Sequence, residues 1–198
     1  MMKMKIVQLS VPSLALAAIL AAATPSTIPG QSTTIEFDPA ETKVEFTLGA
    51  TMHTVHGSFA FKRGKISFDP ATGQASGEMV VDAASGKSGN EGRDRNMHRV
   101  VLESERYPEI IFRPDRLEGT LSPRGRSQVR LHGILQIHGA EHEITVPVDA
   151  AIANGLYTVT ANFAVPYVSW GMKNPSKLML RVGDRVDITI ETTARARQ

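Results

Sequence analysis

The chain has 198 residues, enough for one domain with a core of its own. Its 22 Lys and Arg face 20 Asp and Glu, but Lys3 and Lys5 belong to an N-terminal segment expected to be removed, which leaves 20 against 20. A neutral chain gives no electrostatic reason for nucleic-acid binding, and a chain without cysteine has no disulfide frame, no thiolate metal site and no residue for bacterial-type lipidation.

The N-terminus comes first. Lys3 and Lys5 precede an apolar run from Ile6 to Ala23, interrupted only by Gln8, Ser10, Pro12 and Ser13, and Ala21-Ala22-Ala23 places small residues at its end. That order is a secretory signal peptide over residues 1–23. An uncleaved anchor is the alternative, because the run is just long enough to span a bilayer. Residues 24–34 then read as a short linker, 35–193 as the domain and 194–198 as a tail. The expected product is soluble, of about 175 residues, periplasmic or secreted.

Beyond the linker the chain reads as strands. Val44, Phe46 and Leu48 alternate with Glu45 and Thr47, and Ile66 and Phe68 flank Ser67. Val129, Leu131, Gly133, Leu135 and Ile137 share one parity, against Arg130, His132, Gln136 and His138. Ile144, Val146 and Val148 repeat the pattern, followed by Tyr157 to Tyr167 at odd positions and by Val186, Ile188 and Ile190. Period-two alternation marks strands with one apolar and one wet face. Asp38-Pro39, Lys62-Arg63-Gly64, Asp69 to Gly73, His138-Gly139-Ala140 and Asn154-Gly155 supply turns, and links this short join antiparallel neighbours.

Between Asp94 and Glu105 the period changes to about 3.6. Met97, Val100, Val101 and Ser104 fall on one side, with Arg95, Arg99, Glu103 and Arg106 mainly on the other. The spacing predicts a short amphipathic helix entered near Asn90 and ended by Pro108, since a residue before proline avoids helical angles. Strands with a single apolar face need a partner face, so the choice lies between a sandwich and a closed barrel. Runs as long as Gln128–His138 and Leu156–Val168 favour the barrel, which leaves no exposed edge. A lone helix then plugs or caps one end. Gly133 and Ala161 sit at inward parity where a filled core wants bulk; each marks either a sharp bend or a wall against which a ligand lies.

These residues also resemble a known family. The runs "FTLGATMHTVHGSFAFKRGKISFDP", "RDRNMHRVVLESERYPEIIF", "GILQIHGAEHEITVPV" and "VPYVSWGMKNPS", in this order, are similar to the YceI-like, polyisoprenoid-binding family from about Ile35 to Thr193. The resemblance implies an all-β fold: a lipocalin-like antiparallel barrel of about eight strands, exported in bacteria, with a long isoprenoid or similar lipid in its lumen. It also implies that Arg93 and Asp94 begin the helix and that Tyr107-Pro108 leads into the next strand. Val100, Val101 and Leu102 stand where many members carry a phenylalanine-rich turn.

On this reading the lumen residues expected to touch the ligand are Phe46, Leu48, Phe59, Leu131, Gly133, Leu135, Tyr157, Phe163 and Trp170. Arg93, Met97, Arg99 and Val101 are expected at the lid and mouth, with Arg95, Arg106, Lys173, Lys177 and Arg181 as further cations there. Trp170 is the only tryptophan and serves either as an end plug or as a stacking surface for a quinone or polyene. Burying one isoprene unit is worth roughly 3–4 kcal/mol gross, so an apolar tube binds tails strongly and leaves specificity to its mouth.

Enzymatic readings find less. His53 and His56 point to opposite faces of a strand, His132 and His138 point outward, and only His138 and His142 can pair, across a turn. No metal is expected, and no cofactor beyond the bound lipid. Ser58, Ser67, Ser76 and Ser85 lack a nucleophile elbow. Asp94 and His98, four apart on the helix, can hydrogen-bond, which is more often a surface contact than a catalytic dyad. Three classes remain: a carrier or reservoir for a polyisoprenoid, isoprenoid quinone or similar amphiphile, an interaction module with a self-filled barrel, and a lipid-modifying hydrolase. Transient membrane contact and a homodimer are compatible with the first.

Overall fold

The computed structural model describes residues 32–51, 53–176 and 181–197. The segment read as a signal peptide, most of the linker and Lys177 lie outside these. Nine strand segments follow in order: β1 (Thr33–Gly49), β2 (Thr54–Phe59), β3 (Phe61–Phe68), β4 (Ala75–Asp82), β5 (Glu109–Glu118), β6 (Gly125–Ile137), β7 (Ala140–Ala153), β8 (Leu156–Val165) and β9 (Val186–Arg197). From β3 to β9 each pairs antiparallel with the next, and β9 returns to β1, which closes the sheet into a barrel. β2 and β3 are two halves of one interrupted strand, because they pair with Val44–Gly49 and Thr33–Phe37 on the same edge of β1. Nine segments therefore occupy eight positions around the wall.

Local chemistry explains the hairpins. His138 and Gly139 (φ 52° and 74°) and Asn154 and Gly155 (φ 51° and 73°) put both central residues in the left-handed region. Two-residue loops of that kind match the twist of the strands they join. Along β6 the odd residues Val129, Leu135 and Ile137 are buried while Arg130 is exposed, as the alternation requires. In β1 the inward parity switches from Ile35 and Phe37 to Thr42, Val44 and Phe46, and the register against β9 shifts between Phe37 and Thr42. That irregularity buries a polar residue. The Thr42 hydroxyl donates to the Asp38 carbonyl at 2.8 Å, so the 2.8 Å contact between Thr42 and Thr192 is donated by Thr192.

The core divides by height. At the end where β1 starts, Ile35, Phe37, Phe61, Ile66 and Phe68 pack with Leu117, Leu121 and Tyr157. At the other end Leu102, Leu135, Ile137, Val165, Tyr167 and Met172 pack with Met97 and Val101 of the helical segment. That segment joins β4 to β5. A 3-10 turn (Ala83–Ser85) precedes helix α1 (Glu91–Asn96), which runs directly into a single π-helical turn, Met97–Val101. The Asn90 side chain caps α1 by accepting from the Arg93 amide at 2.9 Å.

The helix ends earlier than its pattern suggests. The Leu102 amide bonds to Met97 five residues back, at 2.8 Å, and Glu103 then takes a left-handed conformation (φ 46°). Helical structure therefore stops at Val101 rather than Glu105, and Pro108 lies beyond its end. The wide turn also rotates the apolar stripe. Leu102, which a 3.6-residue period leaves off the inner face, is more buried than any residue of α1 or the π-turn.

Candidate ligand-binding cavity

Inside the barrel is a cavity of about 680 Å³ that runs from the far-end cluster to the lid. Its volume falls in the range of small-molecule sites. All the strands contribute to the lining, which is almost wholly aliphatic and aromatic. The alternation read from the sequence is the reason: one residue in two along each strand faces the same interior. Phe46 and Phe59, expected in the lumen, line the cavity with their rings 5.3 Å apart. Leu48, Leu131, Leu135, Tyr157 and Phe163 line it as well.

Two members of the expected set do not. Gly133 has inward parity, but a Cβ there would sit on the Arg113 carbonyl and the Pro114 Cα, where the β5–β6 register shifts. It is a bend, made possible by the missing side chain. Ala161, the other small inward residue, does line the cavity. The bend thus accounts for Gly133, while Ala161 is part of the cavity wall. Trp170 lies outside the lining and stacks on His142, with centroids 4.0 Å apart and planes within 5°. Trp170 packs against the lid-end cluster.

Apart from Thr192, whose hydroxyl is engaged with Thr42, and the Tyr157 phenol, the polar residues of the lining gather at the lid end. His53 of the β1–β2 loop, Ser88, Asn90, Arg93 and Asn96 join the lining beneath and beside α1. Among the described residues Arg93 is the only lining residue with a permanent charge. Its guanidinium is held by Ser88, through Nε to the Oγ at 2.7 Å and Nη2 to the carbonyl oxygen at 2.6 Å. Ser88 in turn donates from its amide (2.9 Å) and its hydroxyl to the Asp94 carboxylate. Arg93 and Asp94 thus fasten the entry of the helix to the loop before it. That loop is pinned to the wall by the paired amides and carbonyls of Ser58 and Lys87, at 2.9 Å each.

The other expected lid residues separate. Met97 and Val101 line the cavity and pack on the barrel end, whereas Arg99 is exposed and Arg95 pairs with Glu91 at 3.5 Å on the outer side. His98 does not meet Asp94. Its Nε2 donates to the Gly86 carbonyl at 2.9 Å, which leaves Nδ1 to accept from the Ser104 hydroxyl at 3.2 Å. Nor do His138 and His142 pair. The His138 ring lies 4.9 Å from that of Tyr107, which fastens the end of the lid segment to the β6–β7 turn. His142 Nε2 is buried without a hydrogen-bond partner among the described residues, and burial pushes its pKa down.

Lys173 and Arg181 are exposed and absent from the lining, and Arg106 lies 5.1 Å from the Tyr107 ring. Sequence reasoning missed Ser88, Asn90 and Asn96, and it weighed His53 only as a metal ligand. It also missed the phenylalanines at the far end, although Ile35 and Phe37 carry the same alternation as Val44 to Leu48. Among the described residues no group of three or more His, Asp or Glu converges to hold a metal ion.

Comparison with known proteins agrees with this geometry. A family model described as the YceI-like domain matches residues 36–194. Burkholderia cenocepacia BcnA superposes with a TM-score of 0.66 at 21% identity, covering 79% of this chain and 98% of its own. A polyisoprenoid binding domain from Saccharophagus degradans, implicated in plant cell wall breakdown, gives 0.64 at 13% identity, covering 83% and 98%. The Campylobacter jejuni YCEI protein gives 0.60 at 19%, covering 75% and 88%. At these identities the likeness is one of fold. No curated protein sequence matches the chain.

Proposed function

Because the chain belongs to the YceI-like family, we propose that it is an exported carrier or reservoir for an amphiphilic lipid of the isoprenoid class, a polyisoprenoid or an isoprenoid quinone. It is a binding protein and not an enzyme. The observation that carries this reading is the cavity: about 680 Å³ of apolar space inside the barrel, with its polar groups concentrated at the lid end. Such a tube suits a molecule with a long hydrocarbon tail and one polar head. The polyisoprenoid binding of the Saccharophagus degradans domain supports the same class of ligand. A barrel filled by its own side chains, as an interaction module would have, does not leave such a space.

The tail lies between Phe46, Leu48, Phe59, Leu131, Leu135, Tyr157 and Phe163, and the head lies near Arg93, Asn90, Asn96 and His53. Met97 and Val101 cover the tail from above. Native mass spectrometry and lipid extraction of the purified, exported protein test the reading. A prenyl or quinone lipid that co-purifies at close to one per chain is the expected result. Protein recovered empty from lipid-replete cells, and indifferent to added prenols and quinones, overturns it.

A further inference from the structure

The lid segment is built as a hinged unit. It leaves the sheet at Asp82 and re-enters at Glu109, residues that pair with each other, and the Ala83 amide bonds to the Pro108 carbonyl at 3.0 Å. Residues 83–108 are therefore a loop whose two ends meet in one narrow stem. Inside the loop, side chains tie one turn to another: Arg93 and Asp94 to Ser88, and His98 to both Gly86 and Ser104. Such a segment moves as one piece, and a stem of a few residues can absorb the change in backbone angles.

Its attachment to the barrel is uneven. Tyr107, next to the stem, and Glu103 meet His138 of the β6–β7 turn. On the other side lies β2, which pairs with β1 along one edge and, among the described residues, with no strand along the other. Among the described residues, the two bonds between Ser58 and Lys87 are the only hydrogen bonds that join residues 86–106 to the barrel. Both residues are exposed, so their amides and carbonyls turn to water when the pair opens, and the exchange costs little. Beneath this clasp the contacts are apolar: Met97 and Val101 rest on the lid-end cluster, and Gly86 approaches Phe59 so closely that a Cβ would overlap its ring. We infer that residues 83–108 swing about the Ala83–Pro108 stem, and that lipid enters and leaves along the free edge of β2 when the Ser58–Lys87 clasp opens. The inference rests on the carrier reading and adds its route.

The chain has no cysteine, so an engineered pair forms a single defined disulfide. Ser58 and Lys87 exchange both bonds, which sets their Cα atoms about 5.5 Å apart, within disulfide reach. Ser58→Cys with Lys87→Cys locks the clasp. Gln74→Cys with Arg116→Cys, at an isolated antiparallel bridge toward the far end, is the control.

Protein loaded with retinol, a fluorescent isoprenoid alcohol, or with a short prenyl quinone is mixed with phosphatidylcholine vesicles, and release is timed. Loading precedes oxidation. With the clasp disulfide formed, release is expected to slow by about tenfold or more, and reductant restores it. The far-end disulfide leaves the rate within about twofold of the wild type. Lys87→Pro removes one bond of the clasp, at a site where the preceding Gly86 is already extended (φ −55°, ψ 128°), and should speed release severalfold. This variant carries the test if the cysteine pair folds poorly. Release unchanged by a verified clasp disulfide, slowed as much by the far-end one, or no faster in folded Lys87→Pro overturns the hinged lid and leaves the carrier reading intact. Failure of every form to take up either probe overturns the carrier reading, and the lid route with it.

Discussion

His132 stands on the outer wall of β6 between two carboxylates, with Nδ1 2.6 Å from Asp115 and Nε2 2.8 Å from Glu143. Both ring nitrogens face acceptors, so the ring satisfies both only as the imidazolium. The hydrogen bond to Asp115 first, then that to Glu143, raises its pKa, against smaller opposing effects of desolvation and Arg116. A raised folded-state value sets the sign. The stabilisation is complete below the ordinary histidine pKa of about 6.5 and is lost as pH rises through the higher folded value. We expect His132→Gln to lower the melting temperature at mildly acidic pH and to do so less as pH rises; an effect that grows with pH instead contradicts this.

Farther along the same strand, Leu135 is 5% exposed and lines the cavity, whereas Gln136 accepts from Arg113 on the outside. Leu135→Asp buries an unpaired charge and is expected to abolish folding or lipid retention. Gln136→Asp should stay within about half a kcal/mol of the wild type. Chemical denaturation of both variants is the check, and equal effects contradict the register. The contrast within this pair is legible in the sequence, because alternation alone assigns neighbours to opposite faces. The role of Gly133, two residues earlier, is not. Whether a small inward residue marks a bend or a ligand wall depends on how closely β5 approaches, and β5 is distant in sequence.

At the scale of elements, the helical segment acts as a lid through its apolar side. Met97 and Val101 touch the cavity, while Arg95 and Arg99 face away. Met97→Ala with Val101→Ala should cost roughly 2–3 kcal/mol of packing and speed the escape of bound lipid. Arg95→Gln with Arg99→Gln should leave lipid off-rates almost unchanged for a neutral quinone and a prenyl pyrophosphate alike. Any effect of an anionic head is expected instead at Arg93, the charged residue of the lining. Stopped-flow transfer to acceptor vesicles measures these rates; a lid that matters through its outer arginines alone gives the reverse ranking. The start of the lid is readable from Asn90 and from the change of period. Its end is not, since a π-turn is set by how the chain docks on Leu135 and Ile137 and not by local propensity.

For the whole molecule, an apolar cavity that stays open forgoes packing, and a ligand that fills it stabilises the folded state by mass action. Delipidated protein should therefore melt below the lipid-loaded form, with a difference of about 2.7 kcal/mol at a free ligand concentration of about one hundred times Kd. Identical melting curves with and without bound prenol contradict an internal site. Export is tested separately: N-terminal sequencing of the exported protein should find cleavage close after Ala23. A membrane-bound form that still begins at Met1 contradicts it.

The sequence by itself determined an antiparallel wall with one apolar face, the hairpin turns at His138-Gly139 and Asn154-Gly155 and the existence of an amphipathic cover, because periods of two and 3.6 are local properties of the backbone. The turns read at Asp38-Pro39 and Lys62-Arg63-Gly64 lie instead within β1 and β3, where pairing with neighbouring strands overrides the local turn signal. Tertiary structure decided how much space that wall encloses. Barrel width follows from closure of β9 onto β1 and from the stagger between strands, neither of which any segment encodes alone. It also decided that the His142 ring stacks on Trp170 beside the lid-end cluster and that Phe37 and Phe68 pack together at the other end. Which inward residues meet each other, and which face open space, is settled by distance across the lumen, and that distance exists only once the sheet has closed.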